Sequence, residues 1–124
     1  MRLLLDTHAL LWLLADDPRL KPALPTLRQA DEIHVSAASW WELAIKIGMG
    51  RLQYDLPALR QAAADSGLLE LPVSGQHTEA LLHLPPHHRD PFDRLLVAQA
   101  LTEPMRLLTH DEQVARYTEL AIRF

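Results

Sequence analysis

The 124-residue chain reads as an α/β protein built on a mainly parallel sheet, and three observations predict it. Short apolar runs alternate with amphipathic segments along the whole length, the pattern of repeated strand–helix units. The first run, Arg2–Leu5, is apolar on both faces, as a parallel strand covered on both sides must be. That run stops abruptly at one acid, Asp6, and a second apolar, helix-like run follows at once.

Taken in order, Arg2–Leu5 is the first strand, preferred over helix for its length and its sudden end. Thr7 is placed to cap the next helix, in which Leu10, Leu11, Leu13 and Leu14 supply an apolar face. Asp16, Asp17 and Pro18 end it. Pro18 to Ala30 has helical spacing, but Pro22 and Pro25 should divide or shorten it. Glu32–Ser36 alternates apolar with polar residues and is the second strand. A helix from Ala37 to Ile47 ends at Gly48 and Gly50. Asp55 caps a further helix, Pro57–Asp65, and Leu68–Val73 forms a third strand. Ser74 begins a helix to about Leu84. Asp90 then Pro91 is a strong helix start, with the acid at the N-cap and proline in the first turn. That helix runs to Glu103. Arg106–Thr109 is the fourth strand, Asp111–Tyr117 a short helix and Leu120–Phe124 the fifth strand.

Length and composition predict one domain over residues 1–124, large enough to bury a hydrophobic core. Cysteine is absent, which removes disulfides, thiolate metal sites and cysteine nucleophiles and fits a cytoplasmic protein. The net charge of −4 is opposite to that of a protein that holds nucleic acid mainly through phosphates, so any such contact should be local. Asp6 and His8 interrupt the N-terminal leucines, and Asp16 and Asp17 stand where a signal-peptide cleavage site would be needed. No run approaches the roughly 18 apolar residues of a membrane helix.

Several acids fall where consecutive strands meet helices, which in a parallel sheet is one edge and the usual binding crevice. Asp6 ends the first strand, Asp111 follows the fourth, and Glu42 lies in the second turn of the helix after the second. Asp90 and Asp93, three residues apart, share a face at a helix start. Clustered carboxylates oppose one another's ionisation, and a hard cation such as Mg²⁺ or Mn²⁺ relieves the conflict while suiting phosphate substrates. Ordinary structural roles compete with that reading. Asp90 and Asp111 are good N-caps, and Ser39 with Glu42 fits a capping box unless the helix begins near Ser36. Asp6 is hardest to explain so, since an acid beside a buried strand is costly alone.

Seven histidines are present, but no H-x-x-x-H pair, so the adjacent His87 and His88 read as loop and surface residues. His8 and His110, near candidate ligands, read as phosphate contacts or as packed and solvated rings. Trp40 and Trp41 offer base stacking, but the one spaced with Ile45 reads as core. Thr109 either orients the site or simply ends a strand. No G-x-S-x-G elbow supports serine hydrolysis.

The strings LLLDTHALLW, SAASWWELAIKIGMGRL, HRDPFDRLLVAQAL and LLTHD, in this order and spacing, resemble the PIN-domain ribonucleases, most closely the VapC-like toxins of bacterial type II toxin–antitoxin pairs. The resemblance spans nearly the whole chain. It implies a three-layer α/β/α domain with about five parallel strands and an acidic site holding Mg²⁺ or Mn²⁺. Asp6, Glu42, Asp93 and Asp111 match the four family acids; Asp90 stands as either a ligand or a cap. The resemblance further implies RNA phosphodiester hydrolysis, with Thr7 and Thr109 supporting the site. Lys46, Arg51, Arg89 and Arg94 are the nearest cations for the RNA backbone. A small antitoxin partner and a homodimer are also implied.

Two other classes compete. A phosphoacceptor receiver should show paired acids after the first strand and a late lysine, whereas this chain has Asp6 alone and no lysine after Lys46. A catalytically idle binding domain would use the acids only to hold basic residues of a partner.

Overall fold

The computed structural model describes residues 1–124. Its sheet comprises β1 (Arg2–Leu5), β2 (Glu32–Ser36), β3 (Leu69–Leu71), β4 (Arg106–Thr109) and β5 (Ala121–Arg123). The strand order is β3-β2-β1-β4-β5. All four pairings are parallel, with Leu3 beside Ile33 on one side and Leu5 beside Leu108 on the other. Every strand therefore ends on the same edge. β1 is central, and the chain steps outward from it in both directions, so the order reverses where β1 ends at Asp6.

Helices α1 (Thr7–Leu14), α2 (Leu24–Gln29), α3 (Ala37–Gly48), α4 (Leu56–Asp65), α5 (Gly75–Ala80), α6 (Pro91–Thr102) and α7 (Glu112–Ala115) fill the connections. Alternation along the strands divides the core in two. Leu3, Leu5 and Leu108 point to one face, where they meet Leu10 and Trp12 of α1, Trp40 and Leu43 of α3 and Ala63 of α4. Leu4 and Leu107 point to the other, against Leu96, Val97 and Ala100 of α6 and Val114 of α7. This gives the layered α/β/α arrangement. Leu96 is 1% exposed, and emptying such a position to alanine costs about 2–5 kcal/mol. No helix is long and apolar enough to cross a membrane.

Local differences from the sequence expectations have simple causes. Asp6, not Thr7, caps α1: its carboxylate accepts the Ala9 N–H at 2.7 Å and Thr7 becomes the first helical residue. Pro22 and Pro25 divide the next segment into a 3₁₀ turn, Pro18–Ala23, and the short α2. The Ser74 helix tightens to a 3₁₀ turn at Leu81–His83. β3, at the sheet edge, pairs over Leu69–Leu71 only, and α7 stops at Ala115. Trp41, the tryptophan spaced with Ile45, is 61% exposed, and Trp40 is the core residue at 7%.

Candidate active site

Asp6 is 3% exposed at the end of β1. Its Oδ1 caps α1, and its Oδ2 accepts the His110 N–H at 3.1 Å, which ties β1 to the loop after β4. Burial raises its pKa above the ordinary carboxylate range, opposed by hydrogen bonds from Ala9, Thr109 and His110 and by the charge of His8. Burial thus works against the ionised form, which a nearby cation would favour.

Glu42 enters from α3. Ser36 is the N-cap of that helix, accepting the Ala38 N–H at 3.0 Å, so Glu42 is free of capping duty. Its Oε1 accepts from Thr7 Oγ1 at 2.7 Å and its Oε2 from Lys46 Nζ at 2.8 Å. Thr7 Oγ1 also lies 3.1 Å from Ser39 Oγ. Glu42 is 7% exposed, so both partners act where water screens them little.

Asp90 and Asp93 stand at the start of α6. Asp90 is the cap, its Oδ1 accepting the N–H groups of Phe92 at 2.8 Å and Asp93 at 3.2 Å. Asp93 is pushed up to about 7, first by burial, then by the charges of Asp90 and Glu42, with Asp6 adding and His88 opposing. Asp111 caps α7 through the Gln113 N–H at 2.7 Å, and its own N–H donates to Thr109 Oγ1 at 3.0 Å. The structure thus gathers Asp93 and Asp111 directly, with Asp6, Glu42 and Asp90 near enough to act on this ensemble electrostatically or through the shared loops.

His88, read from the sequence as a surface residue, is the unexpected member. Its Nε2 lies 2.9 Å from Asp93 Oδ2 and 3.2 Å from Asp111 Oδ2. The ligand atoms of these three residues all fall within 4.8 Å of one another. No spacing signal marks His88, because its neighbours arrive from elsewhere in the chain: its backbone N–H donates to Tyr117 Oη at 2.8 Å.

The other sequence candidates are dispersed. Lys46 is held on Glu42, and Arg94 Nη1 donates to Pro85 O at 3.2 Å and Tyr117 Oη at 3.1 Å. Arg51 and Arg89 are exposed. His8 stacks on Trp12, and His110 packs edge-on to that ring with its Nδ1 2.7 Å from Phe124 O. Trp41 meets Phe92 edge-on at 5.0 Å. Each of these aromatics directly precedes a site acid, Glu42 or Asp93.

The donor set fits a hard divalent cation. It is mostly carboxylate oxygen, and Asp93, held near 7 by burial and then by like charges, would ionise fully beside one. Asp93 and Asp111 would hold the ion, with Asp6 and Glu42 completing its acidic surroundings.

Residues 3–120 match the PIN domain family. Ribonuclease VapC22 of Mycobacterium tuberculosis (strain ATCC 25618 / H37Rv) is 34% identical over 115 residues, covering 90% of this chain and 88% of the relative. Among solved structures, VapBC2 from Rickettsia felis, bound to a DNA fragment from its promoter, superposes with a TM-score of 0.71 at 18% identity, covering 100% of this chain and 98% of that one. A toxin–antitoxin complex from Klebsiella pneumoniae gives a TM-score of 0.68, also at 18% identity, over 96% and 94% of the two chains. At that identity the two structures speak for the fold alone. The family match and the VapC22 relative together show that this chain belongs to the PIN-domain family, in its VapC-like group.

Proposed function

We propose that the protein is a metal-dependent endoribonuclease that hydrolyses RNA phosphodiester bonds and serves as the toxin of a type II toxin–antitoxin pair. One observation carries the reading. Acids from three strand–helix connections and from the start of α6 gather at one edge of the sheet, where Asp93 is driven to about 7 by burial and by Asp90, Glu42 and Asp6. A centre that resists ionisation this strongly is suited to a divalent cation and poorly suited to stand empty. Membership of the PIN-domain family and the VapC22 relative support the same chemistry.

In this reading Asp6, Glu42, Asp93 and Asp111 are the catalytic acids, Asp93 and Asp111 holding Mg²⁺ or Mn²⁺. Asp90 is the helix cap that keeps Asp93 facing the centre. When bound, the cation supplies an activated water and neutralises charge that develops on the phosphate. The chain supplies the rest. Thr7 and Lys46 fix both oxygens of Glu42, Thr109 orients Asp111 and hydrogen-bonds Asp6, and backbone N–H groups hold Asp6. Arg51 and Arg89, exposed and near the acids in sequence, would meet the RNA backbone; Lys46 and Arg94 would do so only by leaving their present partners. Trp41 and Phe92 offer a stacking surface beside the acids. The partner is a small antitoxin covering this edge, the protein acts in the cytoplasm, residues 1–124 form one domain, and a homodimer is its working form.

The test is cleavage of a structured RNA pool by the antitoxin-free protein in Mg²⁺ or Mn²⁺, beside Asp6→Asn, Asp93→Asn and an EDTA control. Cleavage lost in all three controls is the expected result. A folded wild type that takes up metal and leaves the pool and cellular RNA intact would move the protein to the binding-domain class.

A further inference from the structure

His88 has the look of a metal ligand, since its ring nitrogen, Asp93 and Asp111 form a compact cluster of one nitrogen and two oxygens. The hydrogen bonds on the far side of the ring argue otherwise. Nδ1 accepts the backbone N–H of Arg89 at 3.0 Å and faces that of Asp90 at 3.4 Å. A backbone amide can only donate, so Nδ1 presents its lone pair and the ring proton sits on Nε2. That nitrogen is the one directed at the carboxylates, hydrogen-bonded to Asp111 Oδ2 at 3.2 Å and in contact with Asp93 Oδ2 at 2.9 Å. An Nε2 that carries hydrogen has no lone pair to give a cation.

The ring is also held firmly. The His88 N–H donates to Tyr117 Oη at 2.8 Å, and the Tyr117 hydroxyl donates back to His88 O at 3.3 Å. Arg94 Nη1 donates to the same hydroxyl oxygen and to Pro85 O, which fastens the start of the loop to α6. The loop between the 3₁₀ turn and α6 is therefore anchored on both sides of His88. To move the ring proton to Nδ1 and free Nε2 would leave the Arg89 amide facing a second donor, Nδ1–H, and unbonded.

Building on the metal-dependent reading above, we propose that His88 is a positioning residue, an N–H clamp that holds Asp93 and Asp111 together for the divalent cation without ligating it. Groups outside the ligand shell that orient carboxylates commonly contribute about 10–100-fold to metal affinity. Tyr117 and Arg94 act one step further out by setting the ring's place.

The experiment is Mn²⁺ binding to the full-length protein, read by titration calorimetry and by pulsed EPR for nitrogen coupled directly to the ion. Wild type is compared with His88→Ala, His88→Gln and Tyr117→Phe, each checked for folding by circular dichroism. The clamp predicts no ligand-strength nitrogen coupling in wild type and about 10-fold or greater loss of affinity in His88→Ala. It also predicts substantial recovery in His88→Gln, whose amide donates a hydrogen bond, and a smaller loss in Tyr117→Phe. A direct nitrogen coupling in wild type that disappears in His88→Ala would make His88 a ligand and overturn the clamp. Unchanged affinity in His88→Ala would overturn it as well, leaving the metal site intact. A wild type that takes up no Mn²⁺ would sink the metal-dependent reading itself, and the clamp with it.

Discussion

Each end of α6 is met by a histidine, and the two surroundings differ in one respect that decides what they do. At the C-terminal end, His77 is 2% exposed, and its Nδ1 accepts the Ser74 N–H at 3.0 Å. Its Nε2 lies 2.5 Å from Glu103 Oε2. At the N-terminal end, His88 likewise accepts backbone N–H at Nδ1 and turns Nε2 to carboxylate. The chemistry within each ring is the same. His77 faces one carboxylate and closes a capping box, with Gln99 beside it reaching Pro72 O at 3.3 Å, so that cluster joins α5 to α6. His88 faces two, on the edge where the strands end, with further acids behind them. A matched pair makes a joint; an excess of negative charge makes a place for a cation.

The largest expected effect sharpens the contrast at the acidic end. Asp93→Asn or Asp6→Asn should lower RNA cleavage on the order of 10²–10³-fold, the scale of losing one group that balances transition-state charge. Glu103→Gln, at the other end, should leave cleavage within about twofold, because surface-type changes far from the chemistry act weakly. Comparable losses from both would erase the distinction.

Stability should respond the other way round. His77→Ala removes a buried ring and leaves the Ser74 N–H and Glu103 without their partner, a loss of about 2–4 kcal/mol. Thermal unfolding should show it as a fall of roughly 10 °C, with Mn²⁺ affinity unaltered in calorimetry.

A third effect separates the ends by pH. Unfolded aspartate releases its proton near pH 4, whereas folded Asp93 does so at about 7. Between those values the folded chain binds more protons than the unfolded one, so Asp93 makes stability fall as pH rises and costs a constant amount above about 7. Metal-free Asp93→Asn should therefore unfold at higher temperature than wild type at pH 8, by about 2 kcal/mol after screening, and lose that advantage near pH 4. A mutant no more stable at pH 8 would show that His88 already satisfies Asp93 in full.

Much of this was readable in advance because it is local. The five strands and the helices from Asp55 and Asp90 followed from apolar runs, caps and prolines; the pattern placed Asp6, Glu42, Asp90, Asp93 and Asp111 near strand ends and helix starts, and the resemblance singled out four of them. Thr7 as a cap failed because Asp6, one residue earlier, does both jobs: it ends the strand and accepts the Ala9 N–H. His88 escaped for a different reason. Its role depends on Tyr117, 29 residues on, and on a ring tautomer set by backbone geometry, neither of which leaves a spacing in the sequence. Trp41 escaped because an exposed stripe with Ile45 and Met49 has the same period as a buried one.

The smallest effect concerns that stripe. Trp41→Ala should raise KM for RNA about fivefold, a stacking loss of about 1 kcal/mol, with kcat unchanged. Trp40→Ala, in the core, should instead act through stability. If Trp41→Ala leaves KM alone and weakens antitoxin binding, the stripe belongs to the protein partner.

The strand order has a consequence in time. Asp6 is held by the His110 N–H, and Asp111 follows β4 as the cap of α7; β4 pairs with β1 across a separation of about a hundred residues of chain. No stretch of the polypeptide short of this point contains the whole centre, so a growing chain on the ribosome completes it only when the segment with Asp111 emerges. Termination at any codon before Asp111 yields a fragment without the complete set of acids.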